Sequence, residues 1–401
     1  MTLPGAGWAE DASLLRLVDV LGAGEGHVRY VGGAVRDTLL GLPVADIDLA
    51  TVLQPADVVR RLAAAQIKAV PTGVAHGTVT AVLPSGPVEV TTLRRDVATD
   101  GRHAVVAFTD DWREDAARRD FTINALSSDP ITLEVHDYFG GLDDLARRTV
   151  RFIGRPLERI AEDHLRILRF FRFHARFGEG QADGDGLAAC AARANDLMAL
   201  SRERIAQELV KLLSVADPAP TLGLMVEHAI FAPVLPEIDA GGVARLRSLV
   251  AREIAHDAAD PLRRLAALLP ADPPTADAIA VRLKLSRAQR RRLALAADAA
   301  PPDDARALAY ASGVTEARDR ILLRAVDDDL GPALDMLGGW IPPRLPIGGG
   351  ALVAMGLGAG PTVAAALAAI ERRWVAEGFP DAQRVRAIAG EVVDQALLAS
   401  K

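Results

Sequence analysis

Two carboxylates, one residue apart, follow a glycine-rich turn near the start of the chain. Gly32 and Gly33 lead into Arg36. Asp46 follows ten residues after that arginine, and Asp48 follows twelve residues after it. Glycine lets backbone N–H groups approach a phosphate closely, and an arginine fork can grip a triphosphate. Side chains at i and i+2 of a strand share one face, where two carboxylates attract divalent cations. The pattern indicates phosphate and metal chemistry.

A third carboxylate stands in an apolar segment further along the chain. Glu89 interrupts residues 88–93, whose composition is typical of a strand. A strand of this kind beside the Asp46 and Asp48 strand would complete a two-metal site that suits Mg²⁺. Acid-x-acid triplets are common in a chain with 53 acidic residues among 401. The pair could therefore line a solvated strand edge, but its spacing from the glycine turn favours the metal site.

A pair of arginines opens a predicted helix over residues 116–126. Arg118 and Arg119 stand at its start, where a positive charge opposes the helix dipole. An external anion would account for this placement. An ion pair with Glu114 or Asp115 accounts for it almost as well.

A second arginine series follows in the helical pattern of residues 162–173. Asp163, Arg166, Arg169 and Arg172 recur every three residues and sweep about half of the predicted helix surface. An aspartate can accept a hydrogen bond from an exocyclic amine, and an arginine can donate to ring acceptors. The segment is therefore either a solvated face with charge pairs or a surface that reads a nucleobase.

The hydrophobic periodicity changes after residue 151. Before it, helices alternate with strands. The predicted strands are residues 27–31, 45–50, 77–83 and 88–93. The predicted helices are residues 12–22, 37–40, 57–65 and 116–126. A polar stretch, 96–112, reads as a loop, and nearly every segment after 157 has helical period. The expected fold class is α+β, with a small mixed head followed by an all-helical remainder.

Bulk composition excludes several classes of protein. The net charge is −7, and the only cysteine, Cys190, rules out an internal disulfide and a cysteine-based zinc site. No signal peptide or apolar run long enough to span a membrane is visible, so we expect a cytoplasmic protein without membrane contact. One basic cluster, residues 287–292, is either a solvated helix face or a contact for RNA phosphates.

Taken together, the motifs resemble the class II tRNA nucleotidyltransferase and bacterial poly(A) polymerase family. The stretches that carry the resemblance are GGAVRDTLLG (32–41), DID (46–48), VEVTTLRRD (88–96), RRDFTINAL (118–126), EDHLRILRFFRF (162–173) and SRERIAQEL (201–209). The resemblance implies a polymerase-β-like catalytic head over residues 1–150. It further implies a helical neck for nucleotide selection over 151–215, a helical body over 216–340 and a tRNA-binding helical tail over 341–401.

The resemblance also implies roles for individual residues. Asp46 and Asp48 would bind two Mg²⁺ ions at the catalytic centre, to which the strand pattern adds Glu89 as the candidate third carboxylate. Asp163 and Arg166 would select CTP or ATP without a template. The nucleotide would further be held by Gly33, Arg36, Arg119, Arg169 and Arg172. The macromolecular partner would be tRNA, bound at its 3′ end and acceptor arm.

Several activities remain open within this family. Poly(A) polymerases of the group carry a Gly-Arg/Lys-Arg/Lys-Phe signature after the carboxylate pair. Here residues 72–78 read TGVAHGT, which looks like the tRNA-type enzymes. Residues 100–103 look like the flexible loop that helps the switch from C to A addition, which favours complete CCA addition. Poly(A) synthesis, A-only or CC-only addition, and an inactive tRNA-binding protein are the alternatives.

Overall fold

The chain separates into two compact units. The computed structural model describes residues 1–73, 77–99, 104–256, 259–298, 304–324 and 330–399. The first unit is Met1–Pro236 and the second is Glu237–Lys401. All strands of the described residues precede residue 137, and only helices follow. The expected α+β class, with a mixed head and a helical remainder, is confirmed.

The first unit contains a seven-stranded sheet. Its spatial order is β3-β4-β5-β2-β1-β8-β9, and a separate hairpin pairs β6 with β7. The strands are β1 Val28–Val31, β2 Asp48–Thr51, β3 Lys68–Gly73, β4 Thr78–Leu83, β5 Gly86–Thr92, β6 Arg94–Thr99, β7 Ala104–Phe108, β8 Ser127–Ser128 and β9 Val135–His136. The pair β2 and β5 is parallel, and its register sets Asp48 opposite Glu89. The other pairs are antiparallel.

Ten helices are described in the first unit. They are α1 Ala12–Val20, α2 Gly33–Leu39, α3 Pro55–Ala64, α4 Trp112–Ala117, α5 Gly141–Ala146, α6 Pro156–Glu162, α7 Arg166–Phe177, α8 Gly184–Ala192, α9 Arg202–Leu213 and α10 Ala219–Glu227. Helix α3 shows why they fold onto the sheet. Its Val58 and Leu62 are one turn apart, fully buried, and face β3, β4 and β5.

The second unit is helical throughout its described residues. Its helices are α11 Ala240–His256, α12 Pro261–Leu268, α13 Pro273–Arg282, α14 Arg287–Ala296, α15 Ala305–Ser312, α16 Val314–Arg324, α17 Gly331–Asp335, α18 Gly349–Ala354, α19 Pro361–Ala376 and α20 Ala382–Ala399. A core around Trp374 holds the last three helices together. Buried ion pairs link α11, α12 and α16, with Arg263 bonded to both Glu253 and Asp319.

Phenylalanine rings join the sheet-bearing part of the first unit to helix α7. Phe152 stacks on Phe170 with centroids 5.5 Å apart. Phe121 lies 5.0 Å from Phe152 and 5.1 Å from Phe173. All four side chains are buried, so the rings contribute apolar burial together with favourable ring geometry. This cluster fixes α7 against the segment that carries Arg119 and Asp120.

The sequence pattern predicted one strand that carries both Asp46 and Asp48, and this prediction is wrong. Strand β2 begins at Asp48, and Asp46 precedes it in an irregular segment. Pairing with β1 ends at the same point, where Val31 lies opposite Asp48 and the chain turns into Gly32. The antiparallel partner thus sets where the strand starts, which residue alternation alone cannot show.

The predicted helix over residues 116–126 is wrong. Helix α4 ends at Ala117, and only a 3₁₀ turn, Thr122–Asn124, follows. Phe121 is extended and bridges to Phe152. The Asp120 carboxylate accepts the N–H of Phe121, a local bond that competes with helical hydrogen bonding. Tertiary pairing therefore overrides the helical pattern.

Residues 162–173 form two helices rather than one. Helix α6 ends at Glu162, Asp163 is extended with φ −151° and ψ 108°, and α7 begins at Arg166. The Asp163 carboxylate accepts the N–H of Leu165 at 3.1 Å. The break separates Asp163 from the arginine series and places it at the entrance to α7.

The polar stretch 96–112 also differs from its prediction as a loop. Strands β6 and β7 pair within it as an antiparallel hairpin. Residues 100–103, which resemble the flexible loop, and residues 74–76 of the TGVAHGT stretch lie outside the described residues.

Candidate active site

A cleft of about 470 Å³ opens within the first unit, between the end of β1 and the start of α7. Arginines and carboxylates dominate its wall. The residues that line it are Gly32, Gly33, Arg36, Asp48, Arg119, Asp120, Asn124, Asp163, Leu165, Arg166, Arg169, Phe173 and Arg204. Seven of the ten predicted site residues are among them. Asp46, Glu89 and Arg172 are not.

The glycine turn allows the floor of the cleft to pack closely. Gly32 has φ +67° and ψ −119°, a conformation that L side chains rarely adopt. A Cβ at this position would lie 3.0 Å from a guanidinium nitrogen, Nη1 of Arg119. Gly33 then begins α2. The double glycine thus lets the backbone that follows β1 pack closely against Arg119.

Arg36 is buried beneath the cleft with its guanidinium already bonded. Its Nε donates to Asp37 at 2.8 Å, and its Nη1 donates to the Asn124 side chain at 2.5 Å. The guanidinium carbon lies 4.1 Å from the centroid of the Phe177 ring. Burial lowers the pKa of Arg36, while Asp37 opposes this effect. These contacts fix its orientation before any ligand arrives.

The carboxylates Asp48 and Glu89 lie side by side on parallel strands. Both residues are exposed, and Asp46 is exposed just before β2. Partial removal from water raises the pKa of the Asp48 carboxyl, and repulsion from Glu89 raises it further, while Arg119 acts in the opposite direction. Electrostatic repulsion of this kind is relieved by a cation. The donor set therefore suits a hard divalent metal ion, although the described residues contain no preformed group of three such ligands.

Arg119 stands between these carboxylates and the glycine turn. Its Nη1 donates to the backbone oxygen of Asn124 at 3.2 Å, and its Nη2 lies 3.4 Å from Asp115. Burial lowers the pKa of Arg119, Asp115 opposes it, and Asp48 adds a weaker favourable interaction. The ion pair with Asp115, one of the two explanations open from the sequence, is present. The same guanidinium also faces the cleft.

Asp120 and Asn124, to which the sequence analysis assigned no role, connect the two walls of the cleft. Asp120 accepts two bonds from Arg169, at 2.7 and 2.5 Å, and one from the Asn124 amide at 2.9 Å. Asn124 in turn accepts from Arg36. Burial raises the pKa of Asp120, but Arg169 and the hydrogen bonds outweigh it and lower the pKa overall. Arg36, Asn124, Asp120 and Arg169 thus form a continuous network that is buried except at Arg169.

Asp163 is held by a residue from another helix. Both of its oxygens accept from Nη2 of Arg204 on α9, at 3.0 and 2.9 Å. Each carboxylate oxygen keeps acceptor capacity for a ligand. The Arg204 contact fixes the direction in which that capacity points.

Arg166 faces the cleft but also ties α7 to α6. Its Nη1 donates to the backbone oxygen of Arg159 at 2.8 Å and to Glu162 at 2.5 Å. Its Nη2 lies 3.3 Å from the backbone oxygen of Arg118. Three of its five N–H donors are engaged, so Nε–H and one Nη2 hydrogen remain for a ligand.

Arg172 does not line this cleft. Its Nε donates to Glu208 at 2.6 Å, and its guanidinium carbon lies 4.5 Å from the centroid of Phe173. It lines a separate depression that also contains Arg176 and Lys211. The Phe173 ring lines the main cleft, and the guanidinium carbon of Arg169 also lies 5.4 Å from its centroid.

The sequence reasoning missed five lining residues that complete the site: Asp120, Asn124, Leu165, Phe173 and Arg204. All five stand in motif stretches that were recognised, yet no role followed from their spacing. Arg204 is 41 residues from Asp163, and Arg169 is 49 residues from Asp120. Pairs at such separations have no periodic signature.

The arrangement can hold a polyanion and a hydrogen-bonding ring at once. Arg119 and the glycine turn lie beside the exposed carboxylates, while Asp163 and Arg166 form a polar edge at the far wall. A nucleoside triphosphate has this distribution of charge and polarity. In the part of the chain that the structure describes, no helix is both long and apolar enough to cross a lipid bilayer.

Comparisons with known proteins cover most of the chain. A family model described as "Poly A polymerase head domain" matches residues 28–151, and one described as "Probable RNA and SrmB- binding site of polymerase A" matches residues 183–241. A mouse protein named "CCA tRNA nucleotidyltransferase 1, mitochondrial" is 34% identical over 390 residues, 91% of this chain and 87% of the relative.

Bacterial relatives extend the likeness to structure. A CCA-adding enzyme of Enterococcus faecalis is 36% identical over 64% of this chain and 62% of its own length. The crystal structure of the Bacillus stearothermophilus CCA-adding enzyme in complex with CTP aligns with a TM-score of 0.74 at 30% identity, covering 91% of this chain and 92% of that chain. With these similarities along nearly its whole length, the chain belongs to the family of CCA-adding tRNA nucleotidyltransferases and poly(A) polymerases.

Proposed function

We propose that this protein adds CCA to the 3′ end of tRNA, using CTP and ATP and releasing pyrophosphate. The observation that carries the proposal is the cleft itself. It combines the exposed Asp48 and the partly buried Arg119 with Asp163 and Arg166, which line the same cleft. Nucleotidyl transfer needs phosphate binding at one position and base recognition at another, and this cleft offers both.

Two Mg²⁺ ions fit the carboxylate end. Asp46 and Asp48 would hold them, with Glu89 adjoining Asp48 across the parallel strands. The ions would supply charge neutralisation and a lowered pKa at the attacking 3′ hydroxyl. The chain's own part is to present carboxylate oxygens that form no ion pair with the described residues. The assignment of Glu89 is a proposal on register alone.

The phosphates of the nucleotide would lie over the glycine turn. Gly32 and Gly33 leave room for close approach, and Arg119 faces the same space. Arg36 would contribute its positive charge from beneath the glycine turn. Its guanidinium is already held in place by Asp37 and Asn124. A preorganised cation stabilises developing negative charge without reorganising during the reaction.

Base selection would take place at the far wall. Cytosine and adenine both carry an exocyclic amine next to a ring nitrogen acceptor. Asp163 would accept from the amine, and the unused N–H groups of Arg166 would donate to the ring. Arg169 would support the base indirectly through Asp120 and Phe173, and Arg172 through Phe173 alone. Protein side chains, not a nucleic-acid template, would thus choose the nucleotide.

The macromolecular substrate would be tRNA, engaged at its 3′ end and acceptor arm. In support, the relatives are named for tRNA or for CCA addition. The division into head 1–150, neck 151–215, body 216–340 and tail 341–401 remains a prediction. So does the cytoplasmic location, since the mouse relative is named as mitochondrial.

The test uses a tRNA that lacks its terminal CCA, with Mg²⁺ and CTP alone, ATP alone, or both. We expect two added residues with CTP alone, none with ATP alone, and three with both. Long tails with ATP alone would instead assign poly(A) synthesis. One residue added only to a tRNA ending in CC would assign A addition. Binding of tRNA with no extension under any condition would leave an inactive tRNA-binding protein.

A further inference from the structure

An exposed basic surface lies on the second unit, outside the region matched by the RNA-binding family model. It is formed by Lys284, Arg287, Arg290 and Arg291 at the turn between α13 and α14, and we call it the α13–α14 basic surface. All four residues are exposed. They surround an open depression of about 600 Å³ whose apolar members are Val281 and Leu285.

Other arginines near this turn already have anionic partners. Arg292 turns inward to Asp319, at 2.6 Å, and to Asp260, at 2.8 Å. Arg282 forms two bonds with Glu237, at 2.9 and 2.7 Å. These pairs are structural: they tie α14 to α12 and α16, and α13 to the start of the unit.

Within the basic surface itself, only part of the charge is compensated. Arg290 bonds to Asp277 on α13, which neutralises one charge. Arg287 and Arg291 make no ion pair or side-chain hydrogen bond with any described residue. Two uncompensated guanidinium groups therefore project from the same helix face in a protein whose net charge is −7.

The placement of these two arginines works against the stability of helix α14. Residues at i and i+4 are neighbours on a helix, so the positive charges of Arg287 and Arg291 repel each other. Arg287 also opposes the helix dipole in the first turn, which contains no acidic residue. The capping box of Ser286 is closed by neutral Gln289 rather than by a glutamate. No described residue offsets the positive charge of Arg287 and Arg291. A bound anion would offset it.

We propose that the α13–α14 basic surface binds the phosphate backbone of the RNA substrate, away from the 3′ end that enters the cleft. The inference rests on the proposed function, which supplies an RNA as partner. Arg287 and Arg291 contact phosphates, and the partly exposed Val281 packs against a ribose. An RNA backbone fits better than a compact anion because the charges are spread along a helix face and the depression is open.

The test is a charge reversal in the full-length protein, Arg287→Glu with Arg291→Glu. Affinity for CCA-less tRNA is measured by fluorescence anisotropy at several salt concentrations, together with kcat and KM for tRNA and for CTP. Losing two phosphate contacts lowers the slope of log affinity against log salt by about 1.4–1.8. We expect about a tenfold weaker affinity for tRNA at about 0.15 M salt, a matching rise in its KM, and unchanged kcat and KM for CTP.

Matched controls separate this surface from general charge effects. Arg16→Glu with Arg247→Glu makes the same change at exposed positions of α1 and α11. Arg287→Gln with Arg291→Gln removes charge without adding repulsion and is expected to lower the salt slope equally. Thermal melting establishes that each variant is folded.

The possible results decide between the proposals. If the wild type extends tRNA and the charge-reversal variant binds tRNA with unchanged affinity, the proposal for the α13–α14 basic surface is overturned. The proposed function then still stands. An equal loss in the Arg16/Arg247 control would also overturn the proposal for the surface. If the charge-reversal variant keeps full affinity for tRNA but loses binding to anionic lipid vesicles, the surface is assigned to a membrane instead. Failure of the wild type to bind tRNA at all would remove both proposals.

Discussion

Asp163 and Arg204 meet across the cleft wall, where one guanidinium nitrogen donates to both carboxylate oxygens at 3.0 and 2.9 Å. Asp163 sits in the break between α6 and α7, and Arg204 lies on α9. An aspartate in an extended break has considerable freedom in its side-chain torsion. The arginine removes that freedom, so the proposed base-reading carboxylate is oriented by a helix that the nucleotide need not touch.

We expect Asp163→Ala to reduce discrimination between CTP and ATP more than it slows turnover. Loss of a hydrogen bond to the base is worth about 1–3 kcal/mol, roughly tenfold to a hundredfold in relative kcat/KM. Arg204→Ala should have a similar but smaller effect, since the carboxylate remains but is no longer oriented. The measurement is kcat/KM for CTP and for ATP, each on a tRNA whose 3′ end lacks the residue that is to be added next.

A double variant tests whether the two residues act together. Because Arg204 is proposed to act through Asp163, the effects should not add when both are replaced. Additive losses would show that Arg204 reads the nucleotide independently. Unchanged selectivity in Asp163→Ala would remove Asp163 as the reader of the base.

Asp48→Ala should abolish nucleotide addition and leave tRNA binding intact. Metal ions at such a site supply several kcal/mol of transition-state stabilisation, so a loss of about a thousandfold or more in kcat is expected. Asp57→Ala is the matched control, because Asp57 pairs with Arg60 on α3 and lies outside the cleft. Removal of divalent metal by a chelator should reproduce the Asp48 effect in the wild type. Near-normal activity in Asp48→Ala would refute the metal assignment.

Gly32→Ala should impair nucleotide binding through the backbone. An alanine at φ +67° and ψ −119° is strained by about 1–3 kcal/mol, and its Cβ would press on Arg119. We expect a raised KM for both CTP and ATP, with little change in selectivity between them. Gly24→Ala is a suitable control, since no atom lies within 4 Å of a Cβ built there and its φ is outside the left-handed range. Equal effects of the two substitutions would contradict a specific role for the turn.

Arg169→Met should destabilise the first unit by leaving Asp120 buried without its charged partner. About 3 kcal/mol is expected, at the low end for breaking a buried pair, because the Arg169 side chain is 31% exposed. Chemical denaturation monitored by circular dichroism would measure it. The double replacement Asp120→Asn with Arg169→Met should recover part of the loss. A loss in the double variant equal to or larger than that in Arg169→Met would contradict the pairing argument.

The same pair gives a pH dependence whose sign is fixed. The folded pKa of Asp120 lies below its ordinary value of 3.8. A depressed pKa contributes stability that is fully present above that ordinary value and is lost as the pH falls through the lower, folded value. The difference in unfolding free energy between wild type and Asp120→Asn should therefore shrink below about pH 4. A difference that stays constant into strong acid would exclude this contribution.

The sequence by itself determined which chemistry was available and in which class of fold. The glycine turn, the acid pair and the arginine series define phosphate, metal and base-recognition groups. The change of periodicity after residue 151 predicted a mixed head followed by helices, which the strand and helix order confirms. Residue type and short-range period carry this information because both act over a few residues.

Only the tertiary structure decided how those groups are aimed. Asp163 is oriented by Arg204, and Asp120 is held by Arg169, both over more than forty residues of chain. The start of β2 at Asp48 and the end of α4 at Ala117 likewise follow from pairing with distant segments. Hydrogen bonds and strand register between remote residues are set by packing of the whole unit, and no local pattern encodes them.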